Sequence, residues 1–338
     1  MSKVLFILKR REDYSAKIHS HIGLSTGLYN SAKFMNDMLN DAGIQSVLEV
    51  AIDNNCIDRL VNLHKPTHVI IEALWVVPTK FSVLQKLHPS VKWIIRLHSE
   101  MPFMAGEGMA MDWLGDYATY KNVIIACNAP RMFREVQLYL GTKRVIYLPN
   151  FYPQEYHSPK KINKEKDYID VSCFGAIRPL KNHLLQAFAA IEFAERIGKK
   201  LRFHVNAGRI EMNGNSCLNN LKGLFQQIHA RGHTLINHQW TPREEFLNLC
   251  GQMDIGMQCN FSETFNIVGA DLTSMGVPLI GTEEIPWSRS NADCTDSSDI
   301  CSALLRAYKY PRINVFFNQI HLKHYTNKTR KIWIKYFL

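Results

Sequence analysis

Short apolar runs alternate along the chain with segments in which apolar residues recur every three or four positions. The runs have the length and β-branched content of buried strands, and the periodic segments are typical of amphipathic helices. In the first half, helices are predicted over Tyr29–Ala42, Thr79–Leu87 and Pro130–Leu140. The strands predicted around them are Val4–Leu8, Gln45–Ala51, His68–Glu72, Lys92–Leu97, Asn122–Ala126 and Arg144–Leu148. This alternation favours a parallel sheet covered by helices on both faces.

A charged, proline-containing stretch from Asn150 to Asp167 interrupts the alternation and marks the best domain boundary. After it the pattern restarts. The predicted strands are Tyr168–Gly175, Arg202–Asn206, Thr234–Ile236, Ile255–Gln258 and Pro278–Gly281. The predicted helices are His183–Ile197, Asn215–Arg231, Pro242–Gln252 and Ile267–Met275. Thr241 and Glu244 have capping-box spacing at the start of one of these helices.

Two consecutive doubly wound units predict an α/β protein with two Rossmann-like domains that face a cleft. We place the N-terminal domain at residues 1–152, the C-terminal domain at 153–315 and a basic C-terminal helix at 316–338. Ligands of open parallel sheets bind beyond the carboxyl ends of the strands, so candidate site residues are sought there.

Length and composition fit ordinary globular domains, since the 338 residues are 46% hydrophobic and 21% charged. No run of about 18 uncharged apolar residues occurs, so no membrane-spanning helix is expected. The start, MSKVLFILKRRED, has too short an apolar run for a signal peptide and fits a first buried strand. The eight cysteines form no CxxC pair, which predicts reduced thiols, no zinc site and a cytoplasmic protein.

Positive charge is concentrated at the end of the chain. The formal net charge is +10, and residues 302–338 contain eight lysines and arginines and no aspartate or glutamate. Such a segment fits contact with a polyanion, either nucleic acid or an anionic membrane surface. A solvated basic helix on an ordinary enzyme explains the same composition, and the sequence leaves these interpretations open.

The most specific pattern lies in residues 254–284. A buried strand is followed by a polar turn with Glu263 and then by a helix with Asp271. The backbone N–H groups at the predicted helix start are those of Phe265, Asn266 and Ile267. A helix start of this kind binds anions such as a diphosphate. Carboxylates beside a phosphate suit a ligand with hydroxyls next to its phosphates, and a sugar nucleotide has hydroxyls on both sides of its diphosphate.

Glu263 and Asp271, with seven residues between them, resemble the E-x7-E motif of the retaining family 4 glycosyltransferases. The tripeptide GVP at residues 276–278 resembles the G-x-P that follows the motif. The resemblance implies the GT-B fold, with a C-terminal helix that crosses back to the N-domain. It also implies that the first carboxylate contacts the donor sugar and the second contacts the ribose. This chain departs from the family in its shorter second carboxylate and in Thr264 and Asn266, where glycines are usual.

A second segment, FGAIRPLKNH at residues 174–183, resembles the strand–G-R-x-x-x-x-K loop of the same family. The Arg and Lys of that loop neutralise the diphosphate leaving group. Lys181 lies at the matching distance from Gly175, whereas Ala176 occupies the family's arginine position. Arg178 is the nearest replacement. Because departure of a nucleoside diphosphate requires charge stabilisation, we assign that role to Lys181 and Arg178.

In the first half, WIIRLHSEMP places His98 at a strand end, where it resembles the family's histidine near the donor sugar. Glu100 and Asp112 follow as weaker candidates for contact with the acceptor. Gly23 and Gly27 belong to a loop after the first strand that resembles the glycine-containing first loop of GT-B enzymes. Glycines permit close approach of the backbone to a ligand, although they also suit an ordinary flexible loop.

The resemblance implies a hexosyl- or pentosyltransferase that uses a nucleoside diphosphate sugar and retains the anomeric configuration. A UDP-sugar is the expected donor. No cofactor and no obligatory metal are expected, because cations of the chain would take over the usual work of a metal.

The acceptor is the open part of this prediction. IIEALWVVP and RLHSEMPFMAGEGMAMDW resemble a phage-encoded branch of these transferases, which makes a hydroxymethylated pyrimidine in phage DNA the first acceptor hypothesis. The basic C-terminal segment would then contact DNA in the host cytoplasm. The alternatives are a glycan or lipid-linked acceptor with peripheral membrane contact, a sugar-nucleotide-binding protein without transfer, and an epimerase that acts on the donor alone.

Overall fold

The computed structural model describes residues 2–10 and 26–338. The chain divides into two compact units, one made of Met1–Pro153 with Thr326–Leu338 and the other of Gln154–Tyr325. Each unit is built around its own parallel sheet. The prediction of an α/β fold with two parallel sheets is therefore confirmed.

The first unit contains a six-stranded sheet. Its strands are β1 Lys3–Lys9, β2 Gln45–Ala51, β3 His68–Glu72, β4 Lys92–Leu97, β5 Val123–Cys127 and β6 Val145–Tyr147. Its helices are α1 Thr26–Asp41, α2 Cys56–His64, α3 Phe81–Leu87, α4 Met101–Met104, α5 Ala110–Thr119 and α6 Pro130–Leu140. The strand order is β2-β1-β3-β4-β5-β6, and all pairs are parallel. The chain thus adds strands on both sides of β1, which puts the topological switch point between β1 and β3.

Both faces of this sheet are buried. Leu5 and Ile7 of β1 belong to a core with α2, α3, α5 and α6. Val4 and Phe6 point to the other face, where they pack with Met35 of α1. Burial on both faces explains why β1 consists of consecutive apolar residues and does not alternate apolar with polar ones.

Inside β4, the charged residue Arg96 has no exposed surface. Its guanidinium donates to both carboxylate oxygens of Glu72 at 3.1 Å and to the carbonyl of Leu148 at 3.1 Å. It also donates to the side-chain oxygen of Asn150 and lies 5.1 Å from the centre of the Trp333 ring. One side chain therefore links β3, β4, the segment after β6 and the end of the chain.

The partner of Arg96, Glu72, is equally buried. Burial disfavours its carboxylate, but the charges and hydrogen bonds of Arg96 and His98 hold the pKa of Glu72 below its ordinary value. The folded-state pKa thus lies below that of the unfolded chain. Glu72 therefore stabilises the fold above its unfolded pKa, and this contribution is lost as the pH falls through the folded pKa.

The second unit contains a five-stranded sheet. Its strands are β7 Tyr168–Ile177, β8 Lys200–Ile210, β9 Thr234–Asn237, β10 Ile255–Met257 and β11 Leu279–Ile280. Its helices are α7 His183–Arg196, α8 Gly214–Gln227, α9 Arg243–Gln252, α10 Ile267–Ser274 and α11 Ser297–Lys309. The order β11-β10-β7-β8-β9 is parallel throughout and has its switch point between β7 and β10.

The last helix, α12 at Pro311–Phe337, begins in the second unit and ends in the first. Trp333 near its end is fully buried, stacks on Phe6 at 5.9 Å between ring centres and donates its indole N–H to the Pro149 carbonyl at 2.8 Å. Neither α12 nor any other helix within residues 2–10 and 26–338 is long and apolar enough to cross a membrane.

The sequence pattern did not predict every helix correctly. The hydrophobic periodicity does not predict α2, α5 or α11. The capping box at Thr241 is wrong, because α9 begins at Arg243 with Pro242 at its N-cap position, and within the described residues no side chain caps it. Thr241 is thus one residue too far from the helix for its hydroxyl to reach the first turn.

A glycine turn connects α10 to β11. Gly276 adopts φ +73°, a left-handed conformation that side chains disfavour. A Cβ atom at this position would also lie only 2.2 Å from the carbonyl oxygen of Ser158. The glycine of the GVP tripeptide is therefore required for both its backbone angle and the close approach of another segment.

We expect Gly276→Ala to lower the free energy of unfolding by at least about 2 kcal/mol, from left-handed strain and steric overlap together. Gly223→Ala is the matched control. Gly223 lies exposed within α8, and apart from its chain neighbours and the backbone of its own helix no atom of the described residues lies within 4 Å of an added Cβ. Alanine there should stabilise the helix by about 0.5–1 kcal/mol. Urea unfolding followed by tryptophan fluorescence measures both, and equal midpoints would contradict the assignment.

Arg96→Met is expected to cost about 3–5 kcal/mol, because it leaves the buried Glu72 carboxylate without its main partner. Arg134→Met is the control, since Arg134 is exposed on α6 and its replacement should change stability by no more than about 0.5 kcal/mol. Thermal unfolding compares the two. A similar small shift in both variants would show that the buried pair does not stabilise the first unit.

Candidate functional site

The two strands at the switch point of the second sheet end side by side. β7 is followed by a single turn at Pro179–Lys181, and β10 is followed by the loop to α10. The Phe261 N–H donates to the Leu180 carbonyl at 3.0 Å, and the Asn182 amide donates to the Cys259 carbonyl at 3.0 Å. These bonds join the two loops at the edge where open parallel sheets bind ligands.

An ion pair bridges these loops and brings together two predicted site residues. The Lys181 ammonium donates to a carboxylate oxygen of Glu263, and the side chains are only 11% and 9% exposed. The Asn260 amide donates to the same oxygen at 2.8 Å. Gly175, also predicted, lies inside β7, which continues to Ile177; it adopts φ +120°, and a Cβ atom added there would lie 3.9 Å from the Lys181 side chain. The charges of Lys181 and Glu263 are thus largely withdrawn from solvent and held by each other.

A set of amides fixes the start of α10. Asn266 adopts φ +63°, and its side-chain oxygen caps the helix by accepting the Gly269 N–H at 2.7 Å. Its amide group donates to Gln258 at 2.9 Å, and Gln258 donates to the Phe174 carbonyl at 2.9 Å. Asparagine tolerates positive φ better than most residues, so it can stand where glycine is usual. The other backbone N–H groups of the first turn, including that of Ile267, have no carbonyl group four residues earlier in the helix to donate to. Such N–H groups favour a bound anion.

The second predicted carboxylate, Asp271, lies within α10 and is 2% exposed. Arg243 at the first residue of α9 pairs with it at 2.7 Å. The ring of Phe265 is 1% exposed and packs against Trp287 and Tyr325 at 6.0 and 5.6 Å. The predicted role of Phe265 in anion binding therefore depends on its backbone alone.

The second predicted cation, Arg178, donates to Glu211 at 3.0 Å, and Arg209 contacts the other oxygen of that carboxylate. Arg178 and Lys181 both act on His183, a buried histidine that the sequence did not single out. Burial, followed by the charges of Lys181 and Arg178, lowers the pKa of His183 to about 3. The ring is therefore neutral at neutral pH, and the positive potential of this region comes from lysine and arginine. The sequence pattern did not predict Glu211 either, although it directly follows a strand.

In the first unit, His98 follows the last residue of β4 and is 13% exposed. Its Nε2 contacts Glu72 and lies 3.4 Å from the Arg96 guanidinium, while the Asn128 amide lies 3.4 Å from its Nδ1. Burial lowers the pKa of His98, Arg96 lowers it further, and Glu72 opposes both. The pKa stays below the ordinary value, so the ring is mainly neutral at pH 7. Glu72 was not predicted, and its only signal is a charge at the end of an apolar strand.

The remaining candidates occupy different settings. Glu100 is 3% exposed, and the Arg131 side chain lies 3.5 Å from its carboxylate. Asp112 is exposed in the first turn of α5. Gly27 is the second residue of α1, whereas Gly23 lies outside the described residues. Contact of Glu100 and Asp112 with an acceptor stays a prediction. In the part of the chain that the structure describes, no three His, Cys, Asp or Glu side chains are grouped to hold a metal ion.

The fold is shared with solved sugar-phosphate synthases, although no protein-family profile and no curated protein matches the sequence. Sucrose-phosphate synthase from Thermosynechococcus elongatus superposes with a TM-score of 0.67 at 11% identity, over 95% of this chain and 94% of that chain. A UDP-forming α,α-trehalose-phosphate synthase from Burkholderia xenovorans gives 0.67 at 11%, over 100% and 98%. A structure from E. coli described as trehalose-6-phosphate bound with UDP-2-fluoro glucose gives 0.66 at 10%, over 98% of each chain.

These likenesses establish the fold, which is the GT-B fold that the resemblance implied. The neighbours are sucrose- and trehalose-phosphate synthases, so they do not point to family 4 or to a phage-encoded branch.

Proposed function

We propose that this protein is a glycosyltransferase that moves a sugar from a nucleoside diphosphate sugar to an acceptor hydroxyl. The observation that carries the proposal is the Lys181–Glu263 pair beside the start of α10, at the switch point of the second sheet. It combines a cation and helix N–H groups for a diphosphate with a carboxylate for sugar hydroxyls. The GT-B fold shared with a UDP-forming synthase supports the same function.

Donor binding would exchange partners within this site. A diphosphate beside α10 would take the Lys181 ammonium, because phosphate oxygens accept strong charge-assisted hydrogen bonds. Glu263 would then keep its bond from Asn260. Its released lone pairs would accept hydrogen bonds from the hydroxyls of the donor sugar.

The nucleoside side of the donor would use a second carboxylate. Asp271 is oriented by Arg243 and would accept hydrogen bonds from the ribose hydroxyls. The N–H groups of Phe265, Asn266 and Ile267 would face the phosphates between the sugar and the ribose. Arg178 would supply further positive charge from the cluster that it forms with Glu211.

The chemical step would depend on stabilisation of the leaving diphosphate. Negative charge develops on it in the transition state, so fixed cations accelerate the reaction more than they strengthen donor binding. We infer retention of the anomeric configuration from the family 4 resemblance and assign no protein nucleophile. The leaving phosphate oxygen would accept the proton of the attacking hydroxyl. Contact of His98 with the transferred sugar remains part of the proposal.

A UDP-sugar is the proposed donor. One structural neighbour is a UDP-forming synthase, and another contains UDP-2-fluoro glucose. For the acceptor, the basic C-terminal segment suits either hydroxymethylated pyrimidine in DNA, which would fit a phage enzyme, or a glycan or lipid-linked acceptor at an anionic membrane. The acceptor class is therefore decided by product analysis.

We expect Lys181→Met and Glu263→Gln each to lower kcat/KM at least about a hundredfold, the scale for loss of one key electrostatic contact. Lys200→Met is the control. Lys200 also pairs with a carboxylate, Asp167 at 3.2 Å, but the pair is 58% and 71% exposed at the amino end of β8. Release of nucleoside diphosphate measures all three. Near-normal turnover in both site variants would remove the site assignment.

Incubation with a pool of sugar nucleotides is expected to release nucleoside diphosphate and to add a pentose or hexose mass to one acceptor. Hydroxymethylated DNA and a lipid-linked glycan are offered in parallel, and digested products are analysed by mass spectrometry. Proton NMR of the product reports whether the anomeric configuration is retained. A changed donor sugar without acceptor would indicate an epimerase. Donor binding without any product would indicate a binding protein and contradict the proposal.

A further inference from the structure

The first turns of α12 expose apolar side chains in an unusual arrangement. Ile313, Phe316, Phe317 and Ile320 are 55%, 56%, 49% and 44% exposed. Their spacing of three, four and seven residues puts them on one face of the helix, and we call them the apolar stripe. A continuous row of half-exposed phenylalanine and isoleucine is typical of an interaction surface, unlike single exposed apolar residues.

The opposite face of the same turns is held by polar side chains. Asn314 accepts the Leu279 N–H at 2.9 Å and donates to the Leu279 carbonyl at 3.0 Å. Asn318 accepts the Arg289 N–H at 3.0 Å and is 1% exposed. Because Leu279 lies in β11, the edge strand, these amides complete the sheet edge. This packed face, which also buries Val315 and Leu322, fixes the helix to the second unit.

Positive charge borders the apolar stripe. Lys309, Arg312 and Lys323 are exposed, and α12 contains no aspartate or glutamate. A cavity of about 400 Å³ lies beside the start of the helix, between Lys160–Ile162 and the turn from α11 to α12. Lys160 donates to two backbone carbonyls, whereas Lys161 on the cavity rim has no carboxylate partner among the described residues, and neither have Lys309 and Arg312.

We infer that the apolar stripe and its bordering cations dock the protein on an anionic lipid bilayer. The phenylalanine and isoleucine side chains would enter the boundary between headgroups and acyl chains, and the cations would meet lipid phosphates. The cavity beside Lys161 has a volume of about 400 Å³, which is enough to hold a small ligand group such as a single lipid headgroup. Charge complementarity favours this occupant over an ordinary protein surface. The aliphatic Ile313 and Ile320 at the ends of the stripe favour lipid over nucleic acid, because they cannot stack on bases.

The test is sedimentation of the full chain with phosphatidylcholine vesicles that do or do not contain phosphatidylglycerol. We expect binding only to the anionic vesicles. The double variant Phe316→Ser with Phe317→Ser should weaken it at least about tenfold, from the apolar area removed. Lys309→Gln with Arg312→Gln should weaken it about thirtyfold, because each cation near the anionic surface contributes roughly 1 kcal/mol.

Phe188→Ser is the matched control, because Phe188 is 50% exposed on α7, a different helix. It should bind anionic vesicles as the wild type does. All variants should stay folded at the temperature of the assay, because the packed face of α12 is unchanged in them. Absence of wild-type vesicle binding, or equal loss in the Phe188 variant, would overturn the inference. Two further results would overturn it. One is that the wild type binds a DNA duplex and the stripe variants do not. The other is that the wild type forms a dimer in sedimentation velocity and the stripe variants are monomers. The result does not depend on the proposed transfer reaction.

Discussion

The buried guanidinium of Arg96 is the constraint around which the first unit is organised. An arginine cannot lose its charge, so the fold must supply partners for it within the core. Glu72 comes from β3 and Asn150 from the segment after β6, while Trp333 brings the end of α12 over the same group. A single charge thus fixes the carboxyl edge of the sheet. His98 lies on that edge and is oriented by the same Glu72 carboxylate, whereas burial and the charge of Arg96 keep its ring neutral.

The second unit solves a similar problem at its own carboxyl edge. The side chains of Lys181 and Glu263 are nearly buried, and the charge of each offsets the desolvation cost of the other. The two units differ in whether a ligand could reach the ion pair. Arg96 is enclosed on all sides, whereas Lys181 and Glu263 lie beside a helix start whose backbone N–H groups favour an anion. A buried pair of this kind is stable as it stands and can also exchange one partner for a ligand.

Much of the fold was predictable, because local patterns determine it. The strands Gln45–Ala51, His68–Glu72 and Lys92–Leu97 coincide end for end with the predicted runs, since apolar β-branched stretches with polar ends have few other uses. The site residues were predictable only where they belong to a motif with a recognisable spacing along the chain. The pairing of Lys181 with Glu263 joins residues 82 apart, and no local pattern contains that information. The partners of Arg96 were not predicted from the sequence, for the same reason. The apolar stripe was not predicted either, because helical periodicity indicates an apolar face without showing whether the protein buries that face.

The charge balance around α10 bears on which ligands fit the second unit. Within the described residues, the four cations Lys181, Arg178, Arg209 and Arg243 pair with the three carboxylates of Glu263, Glu211 and Asp271, so these seven side chains together carry a net charge of +1. The neutral His183 adds nothing to it. A bare diphosphate could draw the cations toward itself, but the carboxylates they leave would then be buried without partners, at a cost of about 1–3 kcal/mol each or more. A sugar nucleotide avoids that cost, because its sugar and ribose hydroxyls can donate to the released carboxylates while its phosphates take the cations. The pairing of the site without ligand thus itself favours ligands that carry hydroxyls on both sides of a diphosphate.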